Sequence, residues 1–478
     1  MKPFYILALV GTRLINVSMM LILSHLMTPD KFGRFALINT NALVIQMIFG
    51  SWIVFVASRV MISDTGKINR EAMSRIISSV LCCIFLIFAI DMAYVATHHG
   101  TALSALATGS LAIAFIVCDT TLSIKNAVGE EAKYAAFAIW RNSLTLFLAV
   151  AFVLIWGSEF GPVAALLIGT AVPIASMPIA RRIWTSAQPS FKSLLEAKRY
   201  FSLGLSGGLI IGIYILVNAP TRNIIAQNFG KSASGVWTLC SDLFYGPLTV
   251  IGNAYGLSQI RSIYLGIEEG SEELTNSRAQ NLMEFMLAIS VTYAVGGFLF
   301  AEDAIHLLIS RDQRELASYV AVAAIMQGCA IQILYGLTSI VVAKQRFALS
   351  SVIILGTALA TTLGSLLGDD FYSTARYAAA SSLASVMFWL ILCIKLDLIR
   401  VRLRECIKLG AACMALWITS TAARALCQFP LGWVIAAFTG CAAFAGVAIA
   451  VQFSAFIEGL PPAMRRRVET QSVKRARP

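Results

Sequence analysis

Arg13, Asn16, Asp119, Arg141, Asn218, Arg222 and Asp242 share an awkward position, because each interrupts a long run of apolar residues; Arg59 stands at the end of another. An ionised side chain at the centre of a bilayer costs about 2.5–3.5 kcal/mol on insertion scales, so such residues face a partner or a wet cavity. Four of them form level pairs. Asp119 and Arg141 lie at similar depth on neighbouring runs, as do Arg222 and Asp242. Each pair reads either as a tie between helices or as a carboxylate that exchanges its arginine for a proton or a sodium ion, and both readings stand.

Arg13 has no such companion, since neither its own run nor the next offers a carboxylate at that level. A lone guanidinium there calls for an anion or water, and its planar fork fits a diphosphate through paired hydrogen bonds. The alternative is packing onto backbone carbonyls or a carboxylate from a distant helix. Arg59 reads as a first contact for a phosphate arriving from the inner leaflet, or as a plain cytoplasmic anchor. Asn16 and Asn218 add polar groups to the runs that carry Arg13 and Arg222. Asn39, Asn41, Gln46 and Ser51 make the second run polar too, as a hydrated cavity wall or interhelical hydrogen bonds would require.

The elements that position these residues follow from composition. With 58% apolar and 13% charged residues and a mean hydropathy of +0.77, the chain lies far from soluble domains, in which charged residues make up roughly 25%. Runs of about 20 apolar residues, enough to cross a bilayer as a helix, recur from end to end. Barrel strands would be short and alternating, so the predicted fold is an all-α polytopic membrane protein. Fourteen spans are predicted, among them 4–27, 35–58, 235–257 and 282–301. The first lacks a small-residue cleavage signature and reads as a retained span.

Basic loops stay cytoplasmic. With Lys2 inside, 27 of the 37 Lys and Arg residues fall on the inner face, 7 on the outer and 3 within spans. Both termini are therefore predicted to be cytoplasmic, and the net charge of +12 is a topology signal with no bearing on nucleic acid. A repeat sets the architecture. Adding 202 to Asn16, Gly33, Phe35 and Leu37 lands on Asn218, Gly235, Trp237 and Leu239. Six spans per copy is an even number, so the two six-helix repeats enter the membrane in the same sense, related by an axis along its normal. The predicted division is 1–185, 186–400, two extra C-terminal helices in 401–457, and a basic tail in 458–478. The offset slips near Glu302–Ala317, which reads as an insertion in the second copy.

The segment LSHLMTPDKFGRFAL, its echo RNIIAQNFGKSASGVWTLCSDL and the fourteen-span layout resemble the Wzx-type polysaccharide flippases of the MOP superfamily. The likeness covers both halves, most clearly 1–60 and 200–260. It implies alternating access that moves a polyprenyl-diphosphate-linked oligosaccharide from the inner to the outer leaflet of the bacterial cytoplasmic membrane, for cell-surface, exopolysaccharide or lipopolysaccharide assembly. The implied partners are that substrate, membrane lipids, and polysaccharide polymerase or export proteins. On this reading Arg13 is the principal diphosphate contact, Arg59 precedes it, and Arg222 waits on the far wall. Many relatives have twelve spans, and this chain has two more.

Two other classes compete. A MATE-like multidrug or cation antiporter shares the two-half layout but favours acidic groups in its cavity, against Arg13, Arg141 and Arg222. A glycan polymerase or glycosyltransferase needs a long outer loop with convergent acids; the outer segments are short, and Glu302–Asp303 and Asp369–Asp370 are isolated pairs. No catalytic residue, cofactor or metal site is predicted. His25, His98, His99 and His306 match no ligand spacing, and the ten cysteines, mostly within or at the ends of spans, read as small apolar residues. The tail reads as a stop-transfer flank, with attraction to anionic headgroups as the alternative.

Overall fold

A computed structural model describes residues 3–60, 70–97, 102–127, 131–176, 190–197, 201–426 and 431–450. His98, His99, the middle of the 181–200 connection and the tail from 458 lie outside the described residues. The first half contains α1 (Pro3–Leu26), α2 (Pro29–Phe49), α3 (Ser51–Val60), α4 (Arg70–Thr97), α5 (Ala102–Ala127), α6 (Glu131–Trp156) and α7 (Phe160–Ala175). After the short α8 (Phe191–Ala197) come α9 (Phe201–Phe229), α10 (Lys231–Glu268), α11 (Glu272–Leu308), α12 (Arg314–Ala343), α13 (Phe347–Leu366) and α14 (Phe371–Lys395). The last pair is α15 (Leu403–Leu426) and α16 (Leu431–Ala450).

Among the described residues, nine helices are long and apolar enough to cross a membrane, and α1, α7 and α16 are shorter apolar helices. The more polar α10 and α15 complete fourteen, because α3 continues α2 across a kink at Gly50. There the helix ladder carries on, with Gly50 N–H donating to the Gln46 carbonyl at 2.7 Å. Several helices outrun their predicted spans. The ninth, predicted at 282–301, is the 37-residue α11, since hydropathy marks only the stretch inside the hydrocarbon. The expected insertion at Glu302–Ala317 holds the end of α11, a single 3-10 turn at Arg311–Gln313 and the first turn of α12.

The helix partners repeat. In the first half α1 packs on α6, α6 on α7, α2 on α5, and α5 on α4 and α7; in the second α9 packs on α13, α13 on α14, α10 on α12, and α12 on α11 and α14. These are the same pairings counted span by span, so the molecule is two parallel six-helix repeats plus two C-terminal helices. The last pair docks on α11. Arg402 donates to both carboxylate oxygens of the buried Glu284, at 3.0 and 2.6 Å, and Arg424 reaches the Leu299 carbonyl at 2.6 Å.

The halves meet where the 202-residue offset matters most. α2 crosses α10 at Gly33 and Gly235: a Cβ on Gly33 would lie 1.9 Å from the Lys231 carbonyl oxygen, and one on Gly235 would lie 2.9 Å from the Gly33 Cα. Only hydrogen at both positions lets the backbones approach this closely, as small residues do in membrane helix pairs. Below the crossing, α9 lays Gly204, Gly208 and Gly212, one turn apart, against Trp52, Ser51 and Met47 of α2 and α3. Phe32, Phe35 and Trp237, all fully buried, fill the core beside the crossing.

Candidate functional site

One arginine ties α9 to both α2 and α10. Arg222 sits one turn after Asn218 and is 3% exposed. Its guanidinium donates to Thr40 Oγ1 on α2 at 2.9 Å, to the Tyr214 hydroxyl at 2.6 Å and to Asp242 Oδ1 on α10 at 2.9 Å. Tyr214 in turn donates to the same Asp242 oxygen. Thr40 and Asp242 are themselves counterparts under the 202 offset, so Arg222 bridges two equivalent positions on α2 and α10. A second stitch lies beside it, where Asn223 Nδ2 donates to Asn41 Oδ1 at 3.0 Å.

Arg222, expected as a phosphate contact on the far wall, is enclosed in this conformation. Its charge is met by Asp242 and its two terminal nitrogens are occupied, while Nε has no hydrogen-bond partner among the described residues. Asn218, also expected on the cavity wall, is buried and accepts from Trp237 Nε1 at 3.0 Å. Its counterpart Asn16 is half-buried, and Phe35, which stands where the second repeat has Trp237, has no side-chain N–H to give.

Asp119 and Arg141 meet as their depths implied, but loosely. Arg141 Nη1 lies 3.4 Å from Asp119 Oδ1, while Gln46 Nε2 donates to Asp119 Oδ2 at 2.6 Å. The guanidinium carbon also stands 5.8 Å from the Phe115 ring centroid. The Asp119 side chain keeps 35% of its surface exposed, against 25% for Asp242. This cluster joins α2, α5 and α6 within the first bundle.

Arg13 stands apart. It is exposed, and it makes no hydrogen bond or ion pair with any described residue. Its direction follows from helix spacing: residues four apart share a face, and Val17 closes on Gly246 of α10, where an added Cβ would lie 3.1 Å from its side chain. Gly11, on the other side of α1, faces Ile139 of α6. Arg13 thus points toward α10, within electrostatic reach of Tyr245. Tyr245 stacks on Tyr214 with ring centroids 4.3 Å apart. One open cation therefore borders the space between the halves, a short chain of rings away from the Arg222 bridge. Arg59 lies on α3, and its side chain is outside the described residues.

Sequence reasoning found both Asp–Arg pairs and missed their third partners. Thr40 was legible as the counterpart of Asp242, whereas no local signal marks Tyr214. Among the described residues no group of His, Cys, Asp and Glu is arranged to hold a metal, and eight described cysteines are free thiols.

No family model matches the sequence, and neither does any curated protein. Solved structures do match. The lipid II flippase MurJ in an inward closed conformation superposes with a TM-score of 0.72 at 11% identity, over 94% of this chain and 99% of that one. An inward-facing multidrug resistance MATE family transporter of the MOP superfamily gives 0.57 at 10% identity, over 83% and 98%. The eukaryotic MATE transporter AtDTX14 gives 0.55 at 10% identity, over 82% and 93%. At these identities the likeness concerns the fold, and the chain has the fold that MurJ and the MATE transporters share.

Proposed function

We propose that the chain is a flippase of the MOP type, which carries a polyprenyl-diphosphate-linked oligosaccharide across the bacterial cytoplasmic membrane by alternating access. Its basic loops and both termini face the cytoplasm on this reading, and its halves divide at about residue 185. The observation that carries the proposal is Arg13: an open guanidinium in mid-span, aimed at the opposite half, suits an anion and repels the cations of a drug antiporter. Arg13 and Asn16 hold the diphosphate, Arg59 receives it from the inner leaflet, and the prenyl chain stays in lipid. Asp119 or Asp242 couples the cycle to protons or sodium. The cell-surface glycan machinery, a polymerase or export complex, takes the product.

The MATE-like reading keeps a place, because MATE transporters share the fold over most of their length. One experiment separates the two. The purified chain is reconstituted into liposomes with a lipid-linked oligosaccharide in one set and a cationic dye in another. Outward exposure of the glycan, without dye efflux in an ion gradient, is the expected result. Dye efflux with no glycan movement would overturn the flippase proposal.

A further inference from the structure

The seam between α10 and α12 holds polar groups that nothing in the transport scheme uses. On α10 the positions 245, 252, 256 and 259 share one face, and on α12 so do 328, 332, 335 and 339, by the helical spacing of three and four residues. The two faces meet. A Cβ on Gly328 would lie 3.3 Å from Tyr245, one on Gly252 would lie 1.8 Å from Gln332 Nε2, and one on Gly256 would lie 3.0 Å from Tyr335. The register then sets Gln259 level with Ser339, near the end of α12 where the basic loop Lys344–Arg346 begins.

Along this seam Gln332, Gln259 and Ser339 are 0%, 8% and 3% exposed. Gln332 Oε1, Gln259 Oε1 and Ser339 Oγ have no hydrogen-bond partner among the described residues. The one bond Gln332 does make is weak, from Nε2 to the Met286 sulfur at 3.1 Å. Turning the amide over would orphan the nitrogen instead, so either orientation leaves a strong polar group unmet. Buried polar atoms in a membrane protein are satisfied by protein or by water. Buried waters occupy such polar sites and bond to two to four partners.

We propose that the α10–α12 seam is an internal hydration track, with water bound at Gln332, at Gln259 and at Ser339. From the level of Gln332 at position 252 to Gln259 the unmet groups cover about 10 Å at 1.5 Å per residue. Two turns back along α10 stands Tyr245, whose stacked neighbour Tyr214 bonds to Asp242. The water sites stand whatever the chain carries. Only their use as a route from the basic loops toward Asp242 rests on the coupling proposal above.

X-ray radiolytic footprinting of the full chain in nanodiscs tests this, because hydroxyl radicals born from bound water oxidise the methionine beside it. Met286 touches Gln332 and is fully buried, and Met73, buried in the separate apolar cluster of α3, α4 and α5, is an internal control. Met286 should form sulfoxide several-fold faster than Met73, and Gln332→Leu should bring the two rates together. Equal slow rates in the wild-type chain would show a dry seam and overturn the proposal, without bearing on glycan transport. Fast Met286 oxidation that Gln332→Leu leaves untouched would overturn the assignment of water to Gln332. The wild-type comparison decides even if that variant fails to fold.

Discussion

Where the first repeat has Met20 the second has Arg222, and where the second has Ile215 the first has Arg13. Both arginines lie on the first span of their repeat and both point toward the other half, yet Arg222 is enclosed by Thr40, Tyr214 and Asp242 while Arg13 is open. The two halves duplicate a packing pattern, down to glycine meeting its own counterpart at the crossing, and then diverge in the polar residues laid on it. A carrier gains from that division: one arginine holds the halves together and the other is left for cargo. The Asp–Arg pairs divide in the same way, with Arg222–Asp242 tight and Arg141–Asp119 loose.

The comparison breaks most visibly at Arg222. Arg222→Ala leaves Asp242 and Tyr214 facing a void and removes the bond to Thr40. Breaking a buried ion pair costs about 3–5 kcal/mol, and Asp242, one-quarter exposed, puts the loss near the low end. Thermal unfolding in detergent should show a large drop, and Arg222→Lys should recover part of it while losing the forked contact. An unchanged melting curve for Arg222→Ala would remove the bridge from the account. Arg13→Ala should do the reverse, with normal expression and melting but transport reduced about 10- to 100-fold, the equivalent of roughly 1.5–3 kcal/mol for hydrogen bonds to a charged group. Arg13→Lys should fall between the two, since an ammonium keeps the charge and loses the planar fork. Wild-type glycan export by well-expressed Arg13→Ala would place the phosphate elsewhere.

Gly33→Ala comes next. The added methyl meets backbone, the Lys231 carbonyl, at 1.9 Å, so α2 and α10 must move apart. Overpacking of this kind costs about 1–3 kcal/mol. Gly235→Ala, at 2.9 Å from Gly33 Cα, should cost less, and melting of the two variants side by side measures how symmetric the crossing is.

The crossing was legible in the sequence because an offset of 202 pairs residues directly, and an element on a two-fold axis meets its own copy. The two Asp–Arg pairs were legible because depth can be counted along a helix. Depth says nothing about direction around the helix, however. Depth paired Arg222 with Asp242 and left Arg13 alone, but it could not show that Arg222 also turns onto α2. Fixing the direction required Thr40, 182 positions away, and the tyrosine that completes the bridge. The partner of Asn218 was hidden for the same reason, since Trp237 belongs to the next helix. The break between α2 and α3 inside the predicted span 35–58 and the small α8 were hidden because a hydropathy window averages over a kink and passes over a seven-residue helix.

The smallest expected change in stability, and the sharpest test of which pair couples, is at Asp119. Its contact with Arg141 is long at 3.4 Å, its side chain is one-third exposed, and Gln46 already supplies a short neutral bond. A carboxylate held this loosely gives up its arginine at little cost. Asp119→Asn retains an acceptor for Gln46 or Arg141 and gives up one long contact, so unfolding should shift by about 1 kcal/mol, the worth of a single hydrogen bond. Transport is the discriminating readout. If Asp119 exchanges Arg141 for a proton or sodium ion during the cycle, the asparagine variant should transport at the same rate with and without a pH or sodium gradient, whereas wild type responds to one of them. A variant that follows the gradient like wild type would make this pair a structural tie and shift coupling to Asp242. There the tight bond to Arg222 means that any exchange must also open the bridge to α2.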